Sequence, residues 1–362
     1  MLLNSCILLS RTLNLSHFFG SNFRTSSPPN FMKKIVLVLI IIFIGGVVAI
    51  KFVKNRVFVE PPKYTTTNFT GYCTKTKGTI ETNILGIGAV DLDLQTLDTV
   101  QDLGVHWLRA DLAWVDIESE ETKFDWKGID LLVEELQKRD INLLAIISHP
   151  PDWVWSKDSD AAYLAAKRFG KEITARYKGK IRYWEIFNEP NLPGFGFFRE
   201  GEKIDVSKYV LYLAGMNEGI HESDPNAVIV LGGLSSSEES ISLKNFLDGL
   251  YKEDGGRCFD IFAFHPYGFD GRFEGVKKEL ENQMKLRGDS GKPIWFNEYG
   301  TSDNNLRKDL LNILRDEIKV APAFFWFSVK DFSLEDPYGL ITADFRKKEP
   351  DYSLFKALVE SY

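Results

Sequence analysis

Two stretches of the sequence end in the same pair of residues, an Asn followed by a Glu. They lie at residues 182–191 and 293–300, and aromatic and branched apolar residues precede the pair in both. Such residues favour extended structure, and Pro190 prevents the first stretch from continuing as a strand. Glu189 and Glu298 are therefore predicted at the carboxyl ends of two strands. If both strands belong to one closed barrel, the two carboxylates can face each other, which is the arrangement that glycoside hydrolysis requires.

The elements that must position these glutamates alternate between strand and helix along the chain. The apolar pattern is that of a parallel sheet covered on both faces, and it predicts a (β/α)8 TIM barrel. An open doubly wound sheet is the alternative, but Gly86-Ile87-Gly88 lies within the first strand and no Gly-rich phosphate loop follows it. The predicted strands are 84–90, 105–110, 141–148, 181–188, 227–233, 259–265, 293–298 and 321–327. The predicted helices are 93–103, 126–139, 160–177, 206–222, 242–251, 273–286, 305–318 and 352–360.

Further polar and aromatic residues fall at the predicted carboxyl ends of the strands, where a barrel carries its functional loops. Each of them alone has an ordinary structural explanation, such as a surface ion pair or packing. Their joint placement beside two glutamates predicts a substrate-binding site. These residues are Arg109, His149, Trp153, Trp155, His265, Tyr267 and Trp326.

The segment Trp184-Glu185-Ile186-Phe187-Asn188-Glu189-Pro190-Asn191 resembles the motif of clan A retaining glycoside hydrolases, and within them glycoside hydrolase family 39. The resemblance covers residues 82–362. It implies that Glu189 is the general acid/base and Glu298 the nucleophile, and that Asn188 binds the sugar 2-hydroxyl. Family 39 xylosidases carry an additional β-sandwich, for which this chain has no room. Barrel-only relatives that cut extracellular polysaccharides internally are therefore the closer analogy.

The resemblance also implies roles for neighbouring residues. Arg109 and Tyr267 would orient Glu298, and Trp326 would form the floor of the sugar site. His149 and His265 are the weaker correspondences. The same roles make physical sense, because an ionised nucleophile needs a cation and hydrogen-bond donors beside it.

These observations predict a retaining β-glycoside hydrolase that cuts a cell-surface or extracellular polysaccharide internally. One alternative is an exo-β-glycosidase of the xylosidase or glucosidase type that acts on short oligosaccharides. Loop 195–199 would distinguish the two, because a loop that blocks the groove indicates terminal cleavage and an open groove indicates internal cleavage. Another is a non-catalytic carbohydrate-binding barrel, against which the presence of both glutamates argues. No cofactor is expected. No metal is expected either, since the five histidines lack metal-ligand spacing.

Charge is distributed unevenly along the 362 residues. Residues 1–59 hold seven of the 44 Lys and Arg residues and none of the 51 Asp and Glu residues, so the remainder is strongly acidic. An acidic folded domain is unlike a nucleic-acid-binding surface, and no nucleic-acid partner is expected. We expect a monomer whose partners are an oligosaccharide or polysaccharide and, through its N-terminal helix, a membrane.

An apolar run at residues 35–50, with lysines on both sides, predicts a transmembrane or signal-anchor segment at 33–53. Residues 1–31 are predicted as an extension that precedes the native start, 54–81 as a tether and 82–362 as the barrel. A cleaved secretory signal is the alternative, and a transit peptide is less favoured. The catalytic domain is thus expected outside the cytoplasm, anchored or secreted. There Cys73 and Cys258 could pair or remain free thiols.

Overall fold

The computed structural model describes residues 69–89, 91–269, 272–333 and 336–362. They belong to a folded unit that runs from Pro62 to Tyr362. The predicted extension at 1–31, the predicted anchor at 33–53 and the first part of the predicted tether, up to residue 68, lie outside the described residues. Within the described ranges, no helix is both long enough and apolar enough to cross a membrane.

Strands and helices alternate through the whole of the described chain. The strands are β1 (Ile84–Gly88), β2 (Trp107–Ala113), β3 (Asn142–Ser148), β4 (Tyr183–Ile186), β5 (Val228–Leu231), β6 (Leu234–Ser235), β7 (Phe262–His265), β8 (Ile294–Tyr299) and β9 (Ala323–Trp326). The helices are α1 (Leu94–Asp102), α2 (Trp114–Ile117), α3 (Lys127–Lys138), α4 (Asp152–Trp155), α5 (Ser159–Tyr177), α6 (Val206–Ser223), α7 (Leu243–Lys252), α8 (Phe273–Lys285), α9 (Asn304–Glu317) and α10 (Asp351–Ser361).

The nine strands form one parallel, TIM-like sheet in the order β5-β4-β3-β2-β1-β9-β8-β7-β6. A parallel bridge between Val230 of β5 and Ile261, just before β7, joins the two ends of this order. The prediction of a parallel, barrel-like sheet is thus confirmed, with one difference. The predicted fifth strand is interrupted at Gly232 and Gly233, so that β6 continues it as a separate short strand. A Cβ on Gly233 would lie 2.1 Å from the Nε2 atom of His265, so only glycine fits at the interruption.

Alternation of side chains along the strands separates two parts of the core. Large aromatic rings fill the barrel interior towards the amino ends of the strands. The ring centroid of Tyr183 lies 5.0 Å from that of Trp107 and 5.4 Å from that of Trp295. Side chains two residues apart share a face, so Arg109 and Glu185 follow Trp107 and Tyr183 towards the carboxyl ends. The aromatic layer therefore supports the polar site from below.

Helix starts follow the sequence signals closely. In five helices an Asp or Ser side chain at the N-cap accepts a hydrogen bond from a backbone N–H of the first turn, which is typically worth about 1 kcal/mol. The capping residues are Asp93, Asp158, Asp205, Ser242 and Asp303.

The one-turn helices α2 and α4 were not predicted, and α4 contains Trp153 and Trp155.

A disulfide joins Cys73 to Cys258 across 185 residues of sequence, which settles the pairing that the sequence left open. It attaches residues 73–83 to the amino-terminal end of the barrel. The backbone N–H of Glu81 then donates to the hydroxyl of Tyr183 at 2.9 Å, directly beneath the interior aromatic layer. The segment before β1 is therefore part of the folded barrel.

Removing this crosslink should destabilise the protein. Closing so long a loop reduces the entropy of the unfolded chain, so the Cys73→Ser/Cys258→Ser variant should lose about 4 kcal/mol of unfolding free energy. Urea unfolding followed by tryptophan fluorescence measures the loss. Reductant should lower the stability of the wild-type protein and leave that of the double variant unchanged. Equal stability of the two proteins without reductant would contradict this account.

Candidate active site

The backbone at the end of β4 has an unusual conformation. Phe187 and Glu189 have φ angles of +63° and +43°, a region that residues other than glycine rarely adopt. The N–H of Glu189 donates to the carbonyl of Gly233 at 3.1 Å, which ties the turn to the interruption between β5 and β6. Such conformations typically cost about 1–3 kcal/mol each and cluster at functional sites. Here they direct the carboxylate of Glu189 into the barrel mouth.

Arg109 of β2 connects the other groups. Its Nε and Nη2 atoms donate to the two carboxylate oxygens of Glu185 at 2.8 and 2.9 Å, a bidentate pair. Nη1 donates to Glu298 at 2.6 Å, and Nη2 also donates to the Oδ1 atom of Asn188 at 2.7 Å. Burial opposes the charged form of this guanidinium, but Glu185 and then Glu298 raise the pKa of Arg109 above its ordinary value. The side chain therefore stays cationic and fixes the position of Glu298 through a hydrogen bond.

A bulge in β8 brings Glu298 to the mouth. The pairing of β8 with β9 shifts by one residue between Phe296 and Tyr299, and the extra residue lets Glu298 turn inward. The hydroxyl of Tyr267 donates to its Oε1 atom at 2.9 Å. Burial and the charge of Glu298 raise the pKa of Tyr267 well above its ordinary value, so the phenol keeps its proton and remains a donor.

His265 lies between the two glutamates. Its Nδ1 atom is 2.9 Å from the Oε1 atom of Glu189 and 3.8 Å from the Oε2 atom of Glu298. One oxygen of each carboxylate and a ring nitrogen of His265 all lie within 4.8 Å of one another. The carboxylates are therefore close enough for one to attack a sugar carbon while the other serves the leaving group, since retaining glycosidases place them about 5–5.5 Å apart.

The same three residues have the donor types of a metal site. Glu298, however, already accepts from the cationic Arg109 and from Tyr267. A metal ion on its oxygens would face the fixed positive charge of the guanidinium at short range. The geometry of this cluster therefore favours hydrogen bonding over metal coordination.

Above the glutamates lies a cavity of about 950 Å³, at the large end of the range of about 300–1,000 Å³ for ligand sites. Both glutamates, Arg109 and Asn188 line it. Asp111, two residues beyond Arg109, faces the cavity too. The residue is exposed to the cavity, but the surrounding side chains shield its carboxyl group from part of the solvent, and this desolvation raises its pKa. The aromatic side chains of the lining are Phe195, Phe269, Phe327, Phe332, Tyr267 and Tyr338.

Four of the predicted binding residues lie elsewhere. Trp326 is fully buried on the outer face of the barrel and packs on Tyr299 and Phe355, so the structure corrects its predicted place as the floor of the sugar site. The adjacent Phe327 lines the cavity instead, because neighbouring strand residues point to opposite faces. His149 is exposed, and its ring bonds the hydroxyl of Ser148 outside the cavity lining.

Trp153 and Trp155 also do not line the cavity. The indole N–H of Trp153 donates to the carbonyl of Glu118 at 3.1 Å. Trp155 packs on Phe197, with ring centroids 5.2 Å apart, and beneath the ammonium group of Lys208. The structure therefore places both tryptophans in packing positions rather than in the predicted sugar-stacking positions.

A comparison with protein families decides the family. The family model described as cellulase, glycosyl hydrolase family 5, matches residues 62–330, which is most of the chain. The chain belongs to this family. The match confirms the predicted membership of clan A. The narrower prediction of family 39 within that clan is not confirmed. No protein with a curated description matches the sequence.

Solved structures share the fold of this family 5 chain at low sequence identity. A family 39 glycoside hydrolase from Bacteroides cellulosilyticus WH2 has a TM-score of 0.62 at 17% identity, covering 77% of this chain and 64% of that one. A GH5_18 protein from Streptomyces cattleya, solved with GlcNAc, has a TM-score of 0.60 at 14% identity over 78% and 80%. The endo-1,4-beta-mannanase of Rhizomucor miehei has a TM-score of 0.55 at 16% identity over 80% and 99%. This chain thus spans less than two thirds of the length of the family 39 structure.

Sequence reasoning missed two kinds of residue in this family 5 site. The sequence analysis assigns Glu185 no role beyond its place in a strand. A charged residue in the middle of an apolar strand is nevertheless a signal of a buried ion pair. Phe327, directly after β9, was missed because the sequence does not show which side chains at the end of this strand face the cavity. Phe332 was missed because it lies in the loop beyond β9. Phe332 is 43% exposed and stacks on Phe327 with ring centroids 5.4 Å apart.

Two substitutions separate binding from packing. Phe332→Ala should raise KM about three- to tenfold with little change in stability, because an exposed aromatic face on the cavity wall is lost. Trp155→Ala should instead lower the free energy of unfolding by about 3 kcal/mol, because it removes packing against Phe197. Steady-state kinetics and thermal unfolding measure the two effects. A raised KM in Trp155→Ala with unchanged stability would return that residue to the binding site.

Proposed function

We propose that the protein is a retaining β-glycoside hydrolase that works by double displacement. The observation that carries the proposal is the short separation of Glu189 and Glu298, whose oxygens approach within 4.8 Å. Inverting enzymes separate the two carboxyl groups by about 6.5–9.5 Å to admit a water molecule, so this close approach of the oxygens favours the retaining arrangement of about 5–5.5 Å. Membership of glycosyl hydrolase family 5 supports the same reaction class.

In the first step Glu298 attacks the anomeric carbon of the sugar. Arg109 and Tyr267 donate to the two oxygens of Glu298 and orient it for attack. Glu189 gives a proton to the departing glycosidic oxygen as the bond to C1 breaks. The mechanism therefore needs Glu189 with a proton and Glu298 as a carboxylate at the start of this step.

In the second step water releases the sugar. Glu189 gave up its proton in the first step, so it can now accept the proton of the attacking water. His265 contacts Glu189 at 2.9 Å and can hold its carboxyl group in place through both steps. Asn188 and Glu298 both accept hydrogen bonds from Arg109. Asn188 is thereby held close to the nucleophile, where it can bind the sugar 2-hydroxyl.

The substrate in this proposal is a polysaccharide cut internally. A cavity of about 950 Å³ with several aromatic walls offers room and stacking surface for more than one sugar. Phe195, the first residue of the loop that was expected to decide between internal and terminal cleavage, is 53% exposed and lines the wall. The mannanase from Rhizomucor miehei is one internally cutting enzyme with a similar fold.

Product length tests internal against terminal cleavage. A library of β-linked polysaccharides treated with residues 60–362 should yield mixed oligosaccharides early in the reaction, with a fast fall in viscosity. Release of monosaccharide or disaccharide alone from chain ends would favour the exo-β-glycosidase. Binding without any cleavage across polysaccharides and aryl β-glycosides would favour a non-catalytic barrel.

The proposed location is extracytoplasmic, with residues 33–53 as the anchor. The apolar run between lysines supports it. Protease added to intact cells would release the domain if this orientation is right, and would cleave it only after lysis if it is wrong.

Azide should separate the roles of the two glutamates. With a dinitrophenyl β-glycoside, Glu189→Ala should form the glycosyl-enzyme and then stall, because no base activates water. Added azide needs no deprotonation and should give the β-glycosyl azide. Glu298→Ala should give the α-azide, because azide enters the space of the missing carboxylate. Product stereochemistry is read by proton NMR.

The matched control is Glu238→Ala, which removes an exposed carboxylate from the same cavity wall. It should give the hydrolysis product with retained configuration and no acceleration by azide. The opposite stereochemistry in the two glutamate variants would exchange their roles. Inversion during hydrolysis by the wild-type enzyme would overturn double displacement.

A further inference from the structure

Glu185 differs from the other carboxylates of the cluster because it does not reach the cavity. It is fully buried and absent from the cavity lining. Its Oε2 atom accepts from Arg109, and its Oε1 atom accepts both from Arg109 and from the backbone N–H of Gly233 at 3.0 Å. With both oxygens occupied and no access to substrate, Glu185 can influence the reaction only through the groups that it contacts, Arg109 and the backbone of Gly233.

The charge of the cluster changes during double displacement. In the resting enzyme, the guanidinium of Arg109 lies between the carboxylates of Glu185 and Glu298. The ester that forms between the sugar C1 and Glu298 removes one of these two negative charges. Arg109 is 6% exposed, and a buried cation without a counterion is strongly unfavourable. Some other group must therefore balance Arg109 in the glycosyl-enzyme.

We propose that Glu185 is a positioning residue that acts as the permanent counterion of Arg109, so that Glu298 can lose its charge in the first step and regain it in the second. The inference rests on the proposed double displacement. Glu185 forms and breaks no covalent bond. It aims Nη1 of Arg109 at Glu298 and keeps the guanidinium paired in both states of the nucleophile.

The groups around Glu298 show how a substitution of Glu185 would change the electrostatic environment of the nucleophile. The titratable and charged groups that face Glu298 are Arg109 from β2, His265 and Tyr267 from β7 and its following loop, and Glu189 after β4. Replacing Glu185 by Gln leaves all of these in place and makes Glu298 the sole carboxylate bonded to Arg109. The ionised nucleophile is then held more strongly. In the esterified state no carboxylate is hydrogen-bonded to Arg109, and Asp111 acts on it only through its charge, more weakly than Glu185 or Glu298 does in the wild-type enzyme.

This inference predicts opposite effects on the two chemical steps. The probe is the 2-deoxy-2-fluoro dinitrophenyl β-glycoside of the sugar that the wild-type enzyme turns over. In Glu185→Gln, inactivation by this compound should slow at least about tenfold, whereas reactivation of the trapped enzyme should become faster. The acidic limb of the kcat/KM profile, measured with the ordinary dinitrophenyl glycoside, should move to lower pH. A site that is merely loosened would slow both steps.

Two further variants keep the test decisive. Glu185→Asp retains the negative charge on a shorter side chain, so the acidic limb of its kcat/KM profile should stay where it is in the wild-type enzyme even if the rate falls. This variant takes the place of Glu185→Gln if the Gln variant does not fold. Glu118→Gln is the matched control, because Glu118 is also fully buried and paired with an arginine, Arg168, away from the cavity lining. It should leave the ratio of the two rates unchanged.

Three results would overturn the inference. They are equal slowing of both steps in Glu185→Gln, an unchanged acidic limb in that variant, and an acidic limb in Glu185→Asp that shifts to lower pH. A wild-type enzyme that forms no glycosyl-enzyme would overturn the proposed function, and this inference with it. If the wild-type enzyme forms a glycosyl-enzyme but Glu185→Gln behaves like Glu118→Gln, the role proposed for Glu185 is wrong and the proposed function stands.

Discussion

The buried guanidinium of Arg109 is the interaction on which the rest of the site depends. It contacts Glu185 on β4, Asn188 in the turn that follows, and Glu298 on β8, so one side chain fixes the relative positions of distant parts of the sheet. Its planar fork matches carboxylate geometry, which a lysine could not reproduce. The proposed acid/base and nucleophile are thereby held at the spacing that the chemistry needs.

The scaffold around this guanidinium permits backbone conformations that would otherwise be unfavourable. Phe187 and Glu189 keep positive φ angles, and Gly233 admits the ring of His265 where any side chain would collide. Interior aromatic rings lie beneath these residues and close-packed helices surround them. A rigid barrel thus holds a local geometry that a short peptide of the same sequence would not adopt.

The sequence allowed much of this arrangement to be predicted. Alternation of strand and helix indicated the parallel barrel, and the repeated Asn-Glu pair located Glu189 and Glu298, because strand ends converge in that fold. The facing of individual side chains was harder. Trp326 and Phe327 are equally aromatic, and only the assembled barrel shows that Phe327, directly after β9, lines the cavity whereas Trp326 packs outside it. Glu185 was missed because its partner is distant in sequence and its role appears only when three strands are assembled.

Acidic side chains outnumber basic ones among the described residues of the cavity wall. Among the described residues that line it, Arg109 is the one cationic side chain, and its charge is already shared by Glu185 and Glu298. The carboxylates of Asp111, Glu238 and Asp336 lie on the same wall. A glycan with uronate or sulfate groups would meet like charge there and no free counterion, whereas a neutral or amine-bearing glycan would not. Selection by charge would thus be set by the wall itself, before any hydroxyl group of the sugar is recognised.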